Sequence, residues 1–329
     1  MDKRERVSAA LSGEALDRVP VCFWRYWPGD DQRAADLARC VALWQSDYDW
    51  DICVVPSSPH FLLTGYGLAD SFEDDLYGGR VVKRQPIKRS LDWTEIRPLD
   101  PQRGDLAKQT DVLKLLSRAV NFDQVPVVQV IYSPFTQALQ MVGRDTLLRH
   151  MRTHCDRLIS GLTTLAESTI RFIDALRRMP IAGIYFVMDA TQELLAESEY
   201  RSVALPFDRQ VISALPSKWW LNIGWLRGES VMFQAAQEAG LRVYNWDTTV
   251  RHQELKTVIS TVRGGLMGGL SYRNHLHDAT PTAVNEAIRQ VMSVTDGRRL
   301  VLGCDGPVKL STPLSNLYAA RDFVQLSRR

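Results

Sequence analysis

Eight short apolar, β-rich runs recur along this 329-residue chain, and amphipathic segments with helical spacing fall between most of them. No other feature restricts the fold as much. The runs are Pro20–Arg25, Asp51–Ser57, Pro126–Ser133, Ala182–Asp189, Lys218–Gly224, Val243–Asp247, Leu266–Ser271 and Leu300–Cys304. Helical patterns cover Asp31–Ser46, Asp145–Arg178, Glu229–Ala239, His252–Val262, Thr282–Val294 and Pro313–Leu326, several opened by a capping residue or an early proline. Strand and helix in alternation imply parallel strands joined by right-handed crossovers, and eight such strands close a barrel. The expectation is an α/β fold, a (β/α)8 TIM barrel forming one domain over residues 1–329.

The interval 58–124 breaks the rhythm. It carries a Gly78-Gly79 hairpin signal, then Pro86, Pro98 and Pro101, and a helical pattern near Leu106–Val120. It reads as a lid-like insertion after the second strand, folded over the barrel mouth.

A hydrophobic fraction of 45% with 24% charged residues is enough apolar material for a substantial core, which excludes a disordered chain. Basic residues number 40 against 38 acidic ones and are scattered, so no nucleic-acid footprint is expected. Arg80, Lys83, Arg84, Lys88 and Arg89 form the one basic cluster, read as a solvated hairpin face. Without an apolar leader or a run of 18 apolar residues, neither secretion nor membrane insertion is indicated, and a cytoplasmic protein is expected. The five cysteines are odd in number and lack C-x-x-C spacing, which fits a reducing compartment.

In a parallel barrel the chemistry collects at the carboxyl ends of the strands. The last run ends in Gly303-Cys304-Asp305-Gly306-Pro307, a thiol and a carboxylate among turn formers. Cys304 is either reactive or a small buried hydrophobe. Other strand ends offer Asp189, Asn222 and Asp247, with Tyr132 and Gln140 around the third run. Asp189 and Asp247 suit general acid or base chemistry if water is excluded; their bland alternative is capping of backbone amides. Arg25, among Trp24, Tyr26 and Trp27, suits a small anionic substrate, or else an internal ion pair with Asp30 or Asp31. Asp51 precedes its apolar run, so it either reaches the cavity or bonds local backbone. His275 and His277, on the loop after the seventh run, could join Cys304 and Asp305 around a zinc ion; an H-x-H pair in an extended loop, however, points its rings opposite ways. No G-x-S-x-G, G-x-G-x-x-G or Walker loop occurs.

Taken together, the segments Arg18–Arg25, Trp50–Pro56, Tyr132–Thr136, Asn245–Asp247 and Gly303-Cys304 with Thr312, Pro313 and Asn316 resemble the uroporphyrinogen decarboxylase superfamily, in the same order along nearly the whole chain. That resemblance implies a β/α barrel of one of two kinds. One decarboxylates the acetate arms of uroporphyrinogen without a cofactor. The other moves methyl groups between corrinoid proteins and thiols or folates, usually through zinc, and homodimers are expected in the superfamily.

The decarboxylase pattern implies substrate-binding roles for Arg25 and Asp51, the latter at the pyrrole nitrogens. Gly29, Gln140, Met188 and Asp305 stand where that pattern has a second arginine, a tyrosine, a serine and a histidine. The methyltransferase pattern keeps Cys304 as a zinc ligand, while its His-x-Cys pair falls on Asn222 and Gly224. Either the zinc site is lost or His275 and His277 replace the pair. Methyl transfer involving a corrinoid protein is the leading expectation; decarboxylation and a non-catalytic binding subunit are the alternatives.

Overall fold

The structure, a computed structural model, describes residues 1–250, 253–262 and 264–326. Nine strands follow in chain order: β1 (Cys53–Val55), β2 (Ala69–Phe72), β3 (Arg80–Arg84), β4 (Val127–Tyr132), β5 (Gly183–Met188), β6 (Ile223–Leu226), β7 (Val243–Asn245), β8 (Gly265–Leu270) and β9 (Leu300–Cys304). Seven of them make one curled parallel sheet in the order β1-β4-β5-β6-β7-β8-β9. Every residue of β1, β4, β5, β7, β8 and β9 is buried, as both faces of a helix-wrapped parallel sheet require.

The first expected strand, Pro20–Arg25, is not one. Proline has no N–H to give, and Val21 gives its own to the Asp51 side chain at 2.8 Å, so a single parallel bridge, Val21 to Leu302, remains. The segment still touches both margins of the sheet. Pro20 accepts from the Leu302 N–H, Cys22 donates to the Leu302 carbonyl, and Val21 accepts from the Asp51 N–H just before β1. Seven strands and one bridge thus stand where eight strands were expected.

Helix boundaries depart from the sequence reading where burial, not periodicity, decides them. The long pattern Asp145–Arg178 breaks at His154 into Arg144–Thr153 and Cys155–Leu176. Only Phe233–Gln237 and Leu255–Val258 are helical in their stretches, and His252 lies outside the described residues. Helices Lys3–Ser12 and Leu205–Ser213 were not anticipated. Among the described residues no helix is long and apolar enough to cross a membrane.

Within 58–124, the helix Gly104–Ala119 is the ordinary crossover between β1 and β4, its Gln109 bonded to the Pro56 carbonyl and to Gln129 Oε1. The irregular part precedes it. β2 and β3 pair antiparallel, as the glycines suggested, but across the longer loop 73–79. Gly78 has φ +81°, and a Cβ there would lie 2.5 Å from that of Tyr26, so only glycine lets the tip approach. The tip also packs Tyr77 edge-on to Tyr272, 5.0 Å between centroids, and bonds Leu76 to Leu310. Of the basic cluster, Arg80 is not solvated: it pairs with buried Asp31 and with Asp70, which in turn holds His60 Nδ1 at 2.6 Å.

Asp51 is fully buried at the amino end of its strand. Its oxygens accept from Arg6 Nη1 at 2.8 Å, Arg18 Nη1 and Nη2 at 2.7 and 3.0 Å, and the Val21 N–H. This is the opposite end from the strand termini where a substrate would sit, which corrects its expected role in the cleft. Asp51→Asn leaves two buried guanidinium groups without their shared anion, and a loss of about 3–5 kcal/mol in unfolding free energy is expected by urea denaturation. A loss under about 1 kcal/mol would remove the cluster from any account of the fold.

Candidate active site at the carboxyl ends of the strands

Aromatic rings fill the barrel beneath its mouth. Trp24 packs edge-on against Tyr26, Tyr185 and Trp225, with centroids 5.3, 5.3 and 5.9 Å apart, and Tyr185 lies 6.0 Å from Trp225. Trp24 and Tyr185 are buried, whereas Trp225 is half-buried. The rings are tied to strand ends by polar bonds: Tyr185 donates to Asn245 Oδ1 at 2.9 Å, Asn245 Nδ2 donates to the Met267 and Cys304 carbonyls, and Trp225 Nε1 donates to the Asp305 carbonyl at 3.0 Å. An aromatic floor pinned in this way has little freedom to rearrange.

Above it lie Asp247 and Asp305. Asp305 is 5% exposed; its Oδ1 accepts from the Tyr272 N–H at 2.8 Å, and its Oδ2 is buried without another partner among the described residues. Burial first, then the nearby Asp247 carboxylate, push the Asp305 carboxyl well above its usual range, which favours its protonated form. Asp247 is half-buried, and its Oδ1 is occupied by the N–H and hydroxyl of Thr249. These two are the expected site residues that the fold does bring together, with His275 near Asp247 as well.

The metal residues do not converge. Cys304 is buried and donates from Sγ to the Gly306 carbonyl at 3.0 Å, while burial and the Asp305 charge push its thiol well above the ordinary value. His275 Nδ1 accepts from the Ser271 N–H at 3.1 Å, and burial lowers its affinity for a proton. His277 turns away to Asp278 and to Ser311 Oγ. Among the described residues no three His, Cys, Asp or Glu side chains are placed to hold a metal. Zinc needs thiolate and free imidazole nitrogens facing one point. This donor set does not fit it.

Other expected residues fall differently. Asn222 sits before β6, holding the Ile184 N–H and the Trp219 carbonyl at the amino end, because β6 runs two residues past its expected close at Gly224. Arg25 stacks over Trp27 at 4.5 Å and donates to the Tyr26 and Leu310 carbonyls; it straps the loop and is spent on protein. Gln140 donates weakly to the Pro59 carbonyl at 3.4 Å, with its Oε1 buried and unpaired. Tyr132 shares a 2.7 Å hydrogen bond with Tyr26 between hydroxyls. Asp189 ends β5 as expected and takes a two-pronged bond from Arg227, at 2.9 and 2.5 Å. Arg227 and Trp225 were missed. The signal was available, since Trp225-Leu226-Arg227-Gly228 repeats the strand-then-turn pattern of Leu302–Gly306.

Asp208 was missed too. It is 1% exposed on Leu205–Ser213, accepts from the Tyr200 hydroxyl at 2.9 Å, and lies near Ser133 and Asp189. Burial raises its pKa to about 7.

The chain belongs to the uroporphyrinogen decarboxylase (URO-D) family, whose sequence pattern matches residues 2–326. It is 24% identical to the methylcobamide:CoM methyltransferase MtbA of Methanosarcina mazei, over 95% of each chain. It is 25% identical to a uroporphyrinogen decarboxylase of Pelobacter propionicus, over 88% of each. Among solved structures, a methyltransferase from Methanosarcina mazei superposes with a TM-score of 0.84 at 17% identity, covering 99% of each chain.

The raised Asp208 pKa fixes a sign for stability. Between pH 4 and 7 the folded chain holds a proton there that the unfolded chain releases, so stability falls as pH rises through that window. Asp208→Asn should flatten the fall: between pH 5 and 8 its loss of unfolding free energy should be smaller than the wild type's in paired denaturation curves. Identical slopes would mean that Asp208 does not titrate in this range.

Proposed function

We propose that the chain transfers a one-carbon (methyl) group between a small molecule and a corrinoid carried by a partner protein, with the Asp305 carboxyl handling the proton in place of zinc. The observation that carries this reading is the buried Asp305 carboxyl, its Oδ2 without a partner among the described residues, near Asp247 and beside the half-buried indole of Trp225. When a methyl group leaves a heteroatom of its donor, that atom gains a proton; when one arrives at an X–H acceptor, the proton departs. One proton is exchanged at the small molecule in either direction, and a carboxyl whose protonated form is favoured by burial and by a second carboxylate can supply it and take it back. Full-length similarity to the methyltransferase relatives supports the same reaction class.

A tetra-acidic macrocycle is disfavoured by the cations at hand. Arg25 is turned onto loop carbonyls and Arg227 is already balanced by Asp189, which suits one carboxylate at the outer edge of Arg227 and not several. In this reading Pro20–Cys22 serves as the eighth stave of a closed barrel, the β2–β3 hairpin is the lid, and five free cysteines suit a cytoplasmic setting.

The purified protein should be mixed anaerobically with reduced cobalamin and a panel of small methylated thiols, amines and ethers, following the cobalamin spectrum. Methylation by at least one donor is expected, with Asp305→Asn about 10²–10³-fold slower and still folded. Conversion of uroporphyrinogen to products with fewer carboxylates, and no methyl transfer from any donor, would replace this reading with the decarboxylase one. Full activity in Asp305→Asn would remove the carboxyl from the mechanism.

A further inference from the structure

Arg227 makes more hydrogen-bonding capacity than its ion pair uses. Its Nε and one Nη2 hydrogen go to the two oxygens of Asp189, 9% exposed, at 2.9 and 2.5 Å. A guanidinium has five N–H donors. The remaining three, two on Nη1 and one on Nη2, have no protein partner among the described residues, and the side chain keeps 32% of its exposure. The group also lies over the Trp225 ring, 5.8 Å from its centroid.

Next to it are the Tyr26 and Tyr132 hydroxyls, close enough to feel the Arg227 charge. The 2.7 Å bond between them consumes one O–H, leaving the other as a donor. Burial raises both phenols, so neither ionises near neutral pH and that donor persists. Guanidinium N–H groups and a phenolic O–H thus gather on one side of the Trp225 indole. Asp305 borders the same ring at its nitrogen, since the indole Nε1 donates to the Asp305 backbone carbonyl.

A surplus of charged N–H donors on one edge of a guanidinium favours an oxygen-rich anion. Asp189 offsets part of the Arg227 charge but leaves its outward N–H groups in place, and an ion pair that served only to anchor the loop would not need them. Holding Arg227 by its inner edge also fixes the direction of its outer edge, as a site that orients a ligand requires.

We infer that Arg227, positioned by Asp189 and joined by the free hydroxyl of the Tyr26–Tyr132 pair, binds the carboxylate of a small substrate that lies across Trp225 with its reacting heteroatom toward Asp305. The substrate class is then a short methylated or methyl-accepting carboxylic acid. The inference rests on the proposed function for the location of the reacting end, but the binding site is tested without turnover.

Calorimetric titration with methylthioacetate, methoxyacetate and N-methylglycine, against the neutral probe 2-(methylthio)ethanol, reads the anion preference directly. At low salt the wild type should bind at least one carboxylate probe about tenfold more tightly than the neutral one, a difference of ~1.4 kcal/mol. Arg227→Gln alone strands the Asp189 carboxylate, so the double variant Arg227→Gln/Asp189→Asn is measured beside it, and both are checked by circular dichroism. The double variant should bind carboxylate and neutral probes equally. Arg227→Lys should keep only part of the preference, because an ammonium lacks the fork. Equal binding of both probe types by the wild type, an intact preference in the folded double variant, or no binding of any carboxylate below about 10 mM overturns the inference. Carboxylate binding without methyl transfer would instead count against the proposed function alone.

Discussion

The Asp51 carboxylate is the joint on which the barrel depends. Arg6 comes from the amino-terminal helix, Arg18 and the Val21 N–H from the segment that bridges β9, and Asp51 itself from the entry to β1. One anion therefore ties three stretches of chain that no continuous ladder joins. Two guanidinium groups and an amide supply the hydrogen bonds a fully buried carboxylate needs, without which its burial would cost several kcal/mol. The consequence reaches the opposite end of the barrel. Residues 20–22 are fixed at their base, so the chain that follows them packs Phe23 on Trp50 and delivers Trp24 and Tyr26 to Tyr185, Trp225 and Tyr132.

Stability at the amino end and chemistry at the carboxyl end is the division that β/α barrels generally keep, and it explains which parts of this molecule could be read in advance. The alternation of apolar runs and helical patterns led to the parallel sheet, because burial on both faces writes itself into composition. Asp189, Asp247 and Asp305 were also legible: each directly follows an apolar run. Asp51 and Asn222 were misplaced for a shared reason. A polar residue touching a short apolar run marks an end of a strand, but not which end. Three-residue β1 and four-residue β6 are too short for periodicity to settle the matter. Arg227 was lost by the same two-residue error that moved Asn222 toward the mouth. The pairings of Tyr26 with Tyr132 and of Asp305 with Asp247 join residues 106 and 58 positions apart, and no local pattern encodes them.

The fate of the expected zinc site follows from where Cys304 points. A thiol becomes a ligand when neighbouring positive charge or a metal stabilises its thiolate. Here its neighbours are the Asp305 carboxyl and the apolar interior, both of which favour the thiol, and its hydrogen goes to the Gly306 carbonyl. Gly306 can approach so closely only as glycine: its φ is +142°, and a Cβ would lie 2.4 Å from the Trp225 ring. The turn that buries the cysteine thus also seats the indole and presents Asp305. Family resemblance pointed to this turn, and burial there favours the thiol form of Cys304 over the thiolate.

Charge balance around Arg227 completes the site. Asp189 and Asp208 lie near one another, and two ionised carboxylates beside a single guanidinium would leave a net negative patch hostile to any anion. Burial raises the Asp208 pKa to about 7, so below that pH it is largely uncharged, with the Tyr200 hydroxyl donating to its Oδ2. The local sum is then one guanidinium against one carboxylate. The helix that carries Asp208 follows a π-type turn at Tyr200–Ala204, a register slip of the kind that recurs at functional sites and places the Tyr200 hydroxyl on the acid. A buried acid kept largely neutral by desolvation thereby leaves the Arg227 charge offset by Asp189 alone, and burial, with Asp247 second, likewise raises the Asp305 carboxyl.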